Sequence, residues 1–298
     1  MLLWAGCGRF GFADRPAGSD AVATDDATAV DGAPSTRCDP AKPFGVPVPV
    51  AGLDAGGFTA IARLSPDERE VVFQRKPTNF KQLYRATRPD PTMPFGAAQL
   101  LPINDAAADN YDAMLDEDLV TLVFASPRSG GSGGGIDLWR ATRATPQSAF
   151  MSPAPIATLD TNSNEDQTYL MGHHVALWYN SSAAGNENVY EAMWTGSDFT
   201  GGAAVTSLNS PASDSFPTPS TDGLVVYFSS SRSGNVDIYV GIRASTSATF
   251  VVSRVTELAT AQDDMPNWIS PDLCRLYFTR GALFSPYDAR VMVAARQP

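Results

Sequence analysis

The pattern of apolar and polar positions is clearest over residues 214–243. Residues 224–228 (LVVYF) form an unbroken apolar run rich in β-branched and aromatic side chains, which predicts a strand buried on both faces. Asp222-Gly223 ahead of it is a turn pair. Residues 229–235 are a polar, glycine-containing connection, and a second apolar run opens at Asp237-Ile238-Tyr239-Val240. The stretch therefore predicts a β-hairpin with a longish loop, and no helix start or stop signal interrupts it.

Degraded copies of this unit recur along the chain. An offset of six residues links Asp67 to Phe73, Asp118 to Phe124, His173 to Tyr179, Asp222 to Phe228 and Asp272 to Phe278, with the first members 51, 55, 49 and 50 residues apart. A second run follows each copy, at residues 83–88 (LYRATR), 138–143 (LWRATR), 189–194 (VYEAMW), 238–243 (IYVGIR) and, more weakly, 291–296 (VMVAAR). A third element opens at Phe44, Phe95, Phe150, Phe199 and Phe250 and reaches an aliphatic residue eight or nine places on: Leu53, Ile103, Leu159, Leu208 and Leu258. Its phase differs from the others, since the first such segment precedes the first hairpin and none follows the last. An all-β, five-bladed β-propeller of four-stranded blades, closed by an N-terminal outer strand, accounts for that phase.

The units Ser65-Pro66-Asp67 and Ser270-Pro271-Asp272, with residues 230–239 (SSRSGNVDIY), resemble the WD40-like propeller repeats of the TolB type. The resemblance covers residues 44–298. Blades two and three depart from it, with Asp116-Glu117-Asp118 and Gly172-His173 at the motif positions. It implies a protein of the bacterial cell envelope.

Composition agrees with a large core, 43% of the 298 residues being apolar. Asp and Glu outnumber Lys and Arg by 32 to 21, for a net charge of −11, and no basic patch is concentrated anywhere, so nucleic acid and anionic membranes are excluded as partners. Residues 1–8 (MLLWAGCG) are too short for a full secretory signal, yet they resemble the end of a bacterial lipoprotein signal with Cys7 as the lipidated residue. Residues 13–37 are mostly Ala, Asp, Thr, Gly and Pro and read as a disordered acidic tether. The expected organisation is thus a truncated signal and tether over 1–37 and the propeller over 38–298. It is expected in the envelope, as a periplasmic or surface lipoprotein, or secreted, with the lipid as its one membrane contact and as a monomer. Cys38 precedes the strand that closes the blade containing Cys274; a disulfide there would tie the ring shut, although spacing cannot give bridge geometry.

Repeated polar residues are read first as structural. Asp67, Asp118, Asp222 and Asp272 sit in turns where a short side chain accepts backbone N–H bonds, and Asp137, Asp237 and Asn188 precede third strands in the same way. The carboxylates at the entry to the innermost strands are the candidate binding set: Asp109, Glu165, Asp214 and Asp264, with Thr59 breaking the series in blade one. Converging on the channel mouth, they would attract a cation such as Ca²⁺, a cationic ligand or a basic peptide. No cofactor beyond that is expected. His173 and His174, adjacent in an expected strand, make a poor metal pair, and the glycine run at 130–135 lacks the lysine of a phosphate loop. Two readings follow. One is a non-enzymatic binding or scaffold protein that contacts a protein, peptide or glycan through the channel mouth or loops. The other is a five-bladed propeller glycoside hydrolase, which needs two carboxyl groups at a defined separation. Binding is favoured, because the candidate acids form a repeat series rather than standing out from it.

Overall fold

Each apolar run of the repeats forms a strand, because its alternating side chains meet apolar neighbours on both faces. The computed structural model describes residues 38–298 other than 54–56, 132–134 and 173. Cys7 and the tether expected over 1–37 lie outside the described residues, as does His173.

The short strand β1 (Val48–Pro49) comes first in the chain. Blade one is β2 (Thr59–Leu64), β3 (Glu70–Arg75), β4 (Gln82–Thr87) and β5 (Gln99–Leu100); blade two is β6 (Tyr111–Leu115), β7 (Thr121–Ser126), β8 (Asp137–Thr142) and β9 (Met151–Pro155). Blade three is β10 (Glu165–Met171), β11 (Ala176–Ser181), β12 (Asn188–Met193) and β13 (Ala203–Ala204). Blade four is β14 (Asp214–Pro219), β15 (Val225–Ser230), β16 (Asp237–Ile242) and β17 (Val251–Arg254). Blade five has β18 (Asp264–Ile269), β19 (Arg275–Arg280) and β20 (Arg290–Ala295), with β1 as its outer strand. All pairings within the blades are antiparallel, and β2 packs on β18 to complete a ring of five. The second strand of each blade carries a fully buried aromatic side chain: Phe73, Phe124, Trp178, Phe228 and Phe278 have no exposed surface. Each such side chain contributes about 1.5–3 kcal/mol by burial.

Two arginine latches explain the repeated Phe and aliphatic positions. At the end of the third strand Arg88, Arg143 and Arg243 stack on Phe95, Phe150 and Phe250, seven residues on, at 4.3, 4.5 and 4.4 Å from the ring centres. The same guanidinium groups donate to turn carbonyls, Arg88 to Glu68, Arg143 to Leu119 and Arg243 to Gly223. Blade three uses Trp194 against Phe199 instead. At the other end of the blade Arg75, Arg128, Arg232 and Arg280 donate to the carbonyls of Leu53, Ile103, Leu208 and Leu258. Leu53, Ile103, Leu208 and Leu258 are thus the floor on which four of the five second strands are anchored.

Blade five shows why the phase of the Phe elements matters. Arg296, at the end of β20, stacks at 4.1 Å on Phe44, which comes from the opposite end of the described chain. Val48 pairs with Val293 and Pro49 with Met292, while Gly45 N–H donates to Ala295 and Val50 N–H to Val291. A disulfide joins Cys38 to Cys274, with 5.8 Å between the Cα atoms. The N-terminal strand so covers an edge that would otherwise be open to pairing with another chain. Across the next seam, Glu68 of blade one accepts hydrogen bonds from Arg275 and, at 2.8 Å, from Tyr277 of blade five.

Candidate functional site

Every first strand of a blade is interrupted near its start. The register with the second strand shifts between Ala60 and Arg63, Tyr111 and Met114, Asp166 and Tyr169, Ser215 and Thr218, and Pro266 and Trp268. In the first four blades the displaced residue has positive φ: Ile61 49°, Asp112 52°, Gln167 54° and Phe216 54°. A bulge of this kind turns a side chain out of strict alternation. The bulge amides are each met by a side chain of the adjoining blade or sheet. Gln74 accepts from Asp112, the Asp112 carboxylate from Gln167, and the Gln167 side-chain oxygen from Phe216, at 3.1, 3.2 and 3.1 Å. This chain of bonds runs round the axis from blade one to blade four.

Just above the bulges lies a cavity of about 230 Å³ at one mouth of the channel. Its polar lining includes Lys81, Tyr111, Asp112, Asp166, Glu187 and Asp263, and its apolar wall includes Phe216 and Phe284. Deeper along the axis Arg63, Met114, Tyr169, Thr218 and Trp268 occupy equivalent positions and are all buried, so the channel is filled there by side chains. The Arg63 guanidinium donates to the backbone oxygens of Asp112, at 2.6 Å, and of Thr168.

Burial dominates the electrostatics of the cavity. It pushes the Asp166 carboxyl well above the ordinary range, reinforced by the nearby Asp112 and Glu187 carboxylates. Asp112 is also raised by burial, against the pull of Arg63 and Lys81, and Glu187 is raised for the same reason. Burial lowers the Lys81 ammonium, opposed by Asp112 and Asp109. The Lys81 Nζ lies 4.6 and 4.8 Å from the ring centres of Phe284 and Tyr111, so aromatic faces supply part of its solvation. Burial and a hydrogen bond to Asp109 raise the Tyr111 hydroxyl. Burial in the cavity thus disfavours the charged forms of Asp112, Asp166 and Glu187, and an added cation would favour them.

The four carboxylates expected at the mouth are placed beside this cavity rather than on its wall. Asp214 is fully buried, accepting from Ser210 N–H at 2.5 Å and Oγ at 2.7 Å and from Arg232 at 2.5 Å. Asp264 is held likewise by Thr260 and Arg280 at 2.9 and 2.7 Å. Glu165 accepts from Thr161 and Ser181. In blade two the equivalent buried residue is Asn110, and Asp109 next to it accepts Lys81 N–H and Tyr111 O–H, positioning two cavity residues. Their sequence neighbours reach the wall instead: Asp166 after Glu165, Asp263 before Asp264, and Tyr111 after Asn110. Sequence reasoning missed Asp112, Lys81 and Glu187. Asp112 is aimed inward only by its bulge. Lys81 and Glu187 share one repeat position with Ile136 and Val236, immediately before the third strand, and all four line the cavity. The available signal was divergence at that position among otherwise similar copies.

The turn aspartates do what their positions imply. Asp67, Asp222 and Asp272 each accept from the serine two places earlier, at 2.6, 2.6 and 2.5 Å. Asp237 accepts from Ser233 and pairs with Arg254 at 2.7 Å. Asp137 differs, since Asp137, Asp160 and Glu165 bring carboxylate oxygens within 4.8 Å of one another. Burial, with Asp160 and Glu165 close by, pushes Asp137 up to about 7.

No family model and no curated protein matches this chain. Solved structures do. A putative TolB from Agrobacterium tumefaciens matches with a TM-score of 0.52 at 16% identity, over 80% of this chain and 76% of that one. The chain shares the β-propeller fold of that protein. TolB from Acinetobacter baumannii matches at a TM-score of 0.51 and 14% identity over 81% of this chain, which spans 55% of the Acinetobacter protein. A family 117 glycoside hydrolase from Zobellia galactanivorans matches with a TM-score of 0.55 at 11% identity, over 86% and 90% of the two chains. One propeller fold thus unites this chain with TolB proteins and with a glycoside hydrolase, and at these identities the likeness is one of fold.

Proposed function

We propose that this chain is a non-enzymatic binding protein of the bacterial cell envelope that takes a basic side chain of a protein or peptide partner into the channel-mouth cavity. The observation that carries this reading is the convergence of Asp112, Asp166, Glu187 and Asp263 on one small cavity where Lys81 alone carries positive charge. A volume of about 230 Å³ suits a single long side chain. The disulfide between Cys38 and Cys274 fits an oxidising compartment, and a lipid on Cys7 would anchor the propeller there. The test is calorimetric titration with short neutral-capped peptides carrying one lysine, one arginine or one norleucine. Lysine and arginine peptides should bind, weaken as salt is raised and release protons, while the norleucine peptide should not. Asp166→Asn with Glu187→Gln should remove the binding. Equal heats from all three peptides would refute a charge-reading cavity.

A second reading is favoured by one observation, a carboxyl at Asp166 that burial shifts towards its protonated form beside two further acids and aromatic walls, the direction an acid catalyst of glycoside hydrolysis needs. Release of reducing sugar from an oligosaccharide panel, abolished by Asp166→Asn, would displace the binding reading.

A further inference from the structure

In three blades the turn after the first strand is built from a serine and an aspartate two residues apart: Ser65 with Asp67, Ser220 with Asp222 and Ser270 with Asp272. Blade two has Asp116 and Asp118 at these positions. The turn itself is unaffected. Asp118 accepts the amides of Val120 and Thr121 at 2.7 and 2.9 Å and the Thr121 hydroxyl at 3.0 Å. Thr121 has taken over as hydroxyl donor, so the Asp116 side chain has no part in holding the turn. Its side chain is nonetheless wholly buried, and neither oxygen has a hydrogen-bond partner of normal geometry. The groups bearing on it are the amides of Glu117 and His174 and the His174 imidazole, whose Nδ1 lies 3.3 Å from Oδ2.

His174 arrives from blade three, in the turn before β11, with φ at 66°. Its ring rests against Trp194 with 5.1 Å between centres, which fixes its plane. One ligand atom from each of Asp116, Asp118 and His174 falls within 4.8 Å of the other two. Two ligand atoms held about 2.0–2.2 Å from one tetrahedral ion stand roughly 3.3–3.6 Å apart, which matches the spacing of the His174 and Asp116 atoms.

We propose that Asp116, Asp118 and His174 form a binding site for a divalent transition metal of the zinc class at the blade two to blade three junction. One nitrogen and two carboxylate oxygens suit a borderline ion rather than Ca²⁺, which favours six to eight oxygens. The two carboxylates balance the charge of the ion. The partly exposed side of His174 leaves a position for water or for a group from a partner. Thr121 and Trp194 orient two of the three ligands from outside, as supporting residues do in metal sites. Asp116 and Asp118 lie past the far end of β6 from the cavity residues Tyr111 and Asp112, so this site is separate from the channel mouth.

The test uses the full chain, freed of metal by a chelator and titrated with Zn²⁺ by calorimetry and with Co²⁺ by visible absorption. One ion per chain and a Co²⁺ spectrum of low coordination are expected, with a melting temperature that rises on saturation. Asp116→Ser installs the serine of three other blades and so preserves the fold; it should weaken Zn²⁺ at least tenfold, as should His174→Gln, whereas His173→Gln should not. The Co²⁺ spectrum of the unmutated chain stands without any variant. Absence of both the Zn²⁺ heat and the Co²⁺ band, or binding that survives either Asp116→Ser or His174→Gln, would reduce the cluster to a simple ion pair.

Discussion

Cutting the ring at Cys38 tests what keeps the propeller closed. The perturbation is Cys38→Ala, chosen because Cys38 is partly exposed while Cys274 is buried in blade five. The bridge spans 236 residues, nearly the whole described chain. In the chain-entropy account a crosslink over that separation removes about 18 cal/mol/K from the unfolded state, or about 5.5 kcal/mol at 25 °C. Opposing its loss are contacts that Cys38→Ala leaves in place: two strand pairs, the amides of Gly45 and Val50, and the Arg296 stack on Phe44. Those act on the folded state and do not replace a restraint on the unfolded one. The expected loss is therefore about 3–5 kcal/mol, with little change in native fluorescence. Urea denaturation followed by tryptophan emission measures it, and the slope against urea should rise because the freed unfolded chain exposes more surface. Unmutated protein in reductant should match the variant, and the variant should be indifferent to reductant. A loss under about 1 kcal/mol would refute the argument and place closure in the strand contacts alone.

Three further outcomes follow from the buried charges. Glu68→Gln should cost on the order of 3 kcal/mol in chemical denaturation, since it leaves Arg88 and Arg275 without their shared carboxylate at the seam of blades one and five. Arg143→Lys should cost about 2 kcal/mol by the same measurement, because an ammonium cannot pair with both Glu70 oxygens, reach the Leu119 carbonyl and stack on Phe150 at once. Asp137 has its folded value raised to about 7, so the stability it contributes is present near pH 4 and is lost as pH rises through 7. Asp137→Asn, which copies Asn188 of blade three, should raise the melting temperature at pH 8 and leave it nearly unchanged at pH 4.5; an equal shift at both would remove that assignment.

The repeat residues carry the fold because they perform the same local task in four of the five blades. Phe44, Phe95, Phe150 and Phe250 each receive an arginine, Leu53, Ile103, Leu208 and Leu258 each offer a carbonyl to another, and the turn aspartates each accept a backbone amide. Such tasks involve near neighbours in sequence or one constant offset, so they leave a period that can be read. The same logic explains why the repeated carboxylates stand beside the cavity rather than on its wall. Asp214 and Asp264 repeat because they brace the blade through Arg232 and Arg280.

The amino-acid sequence by itself therefore determined the strand pattern, the count of five blades, the closing role of the N-terminal strand and the acidic character of the surface. Only the tertiary structure decided which acids face the channel. The bulges at Asp112 and Gln167 break the alternation of the strand, and the meeting of Asp116 with His174 depends on two blades packed side by side. The bulge recurs with a different residue in each blade, Ile61, Asp112, Gln167 and Phe216, so no residue type reports it, and the contact of Asp116 with His174 is made between segments that are distant in sequence.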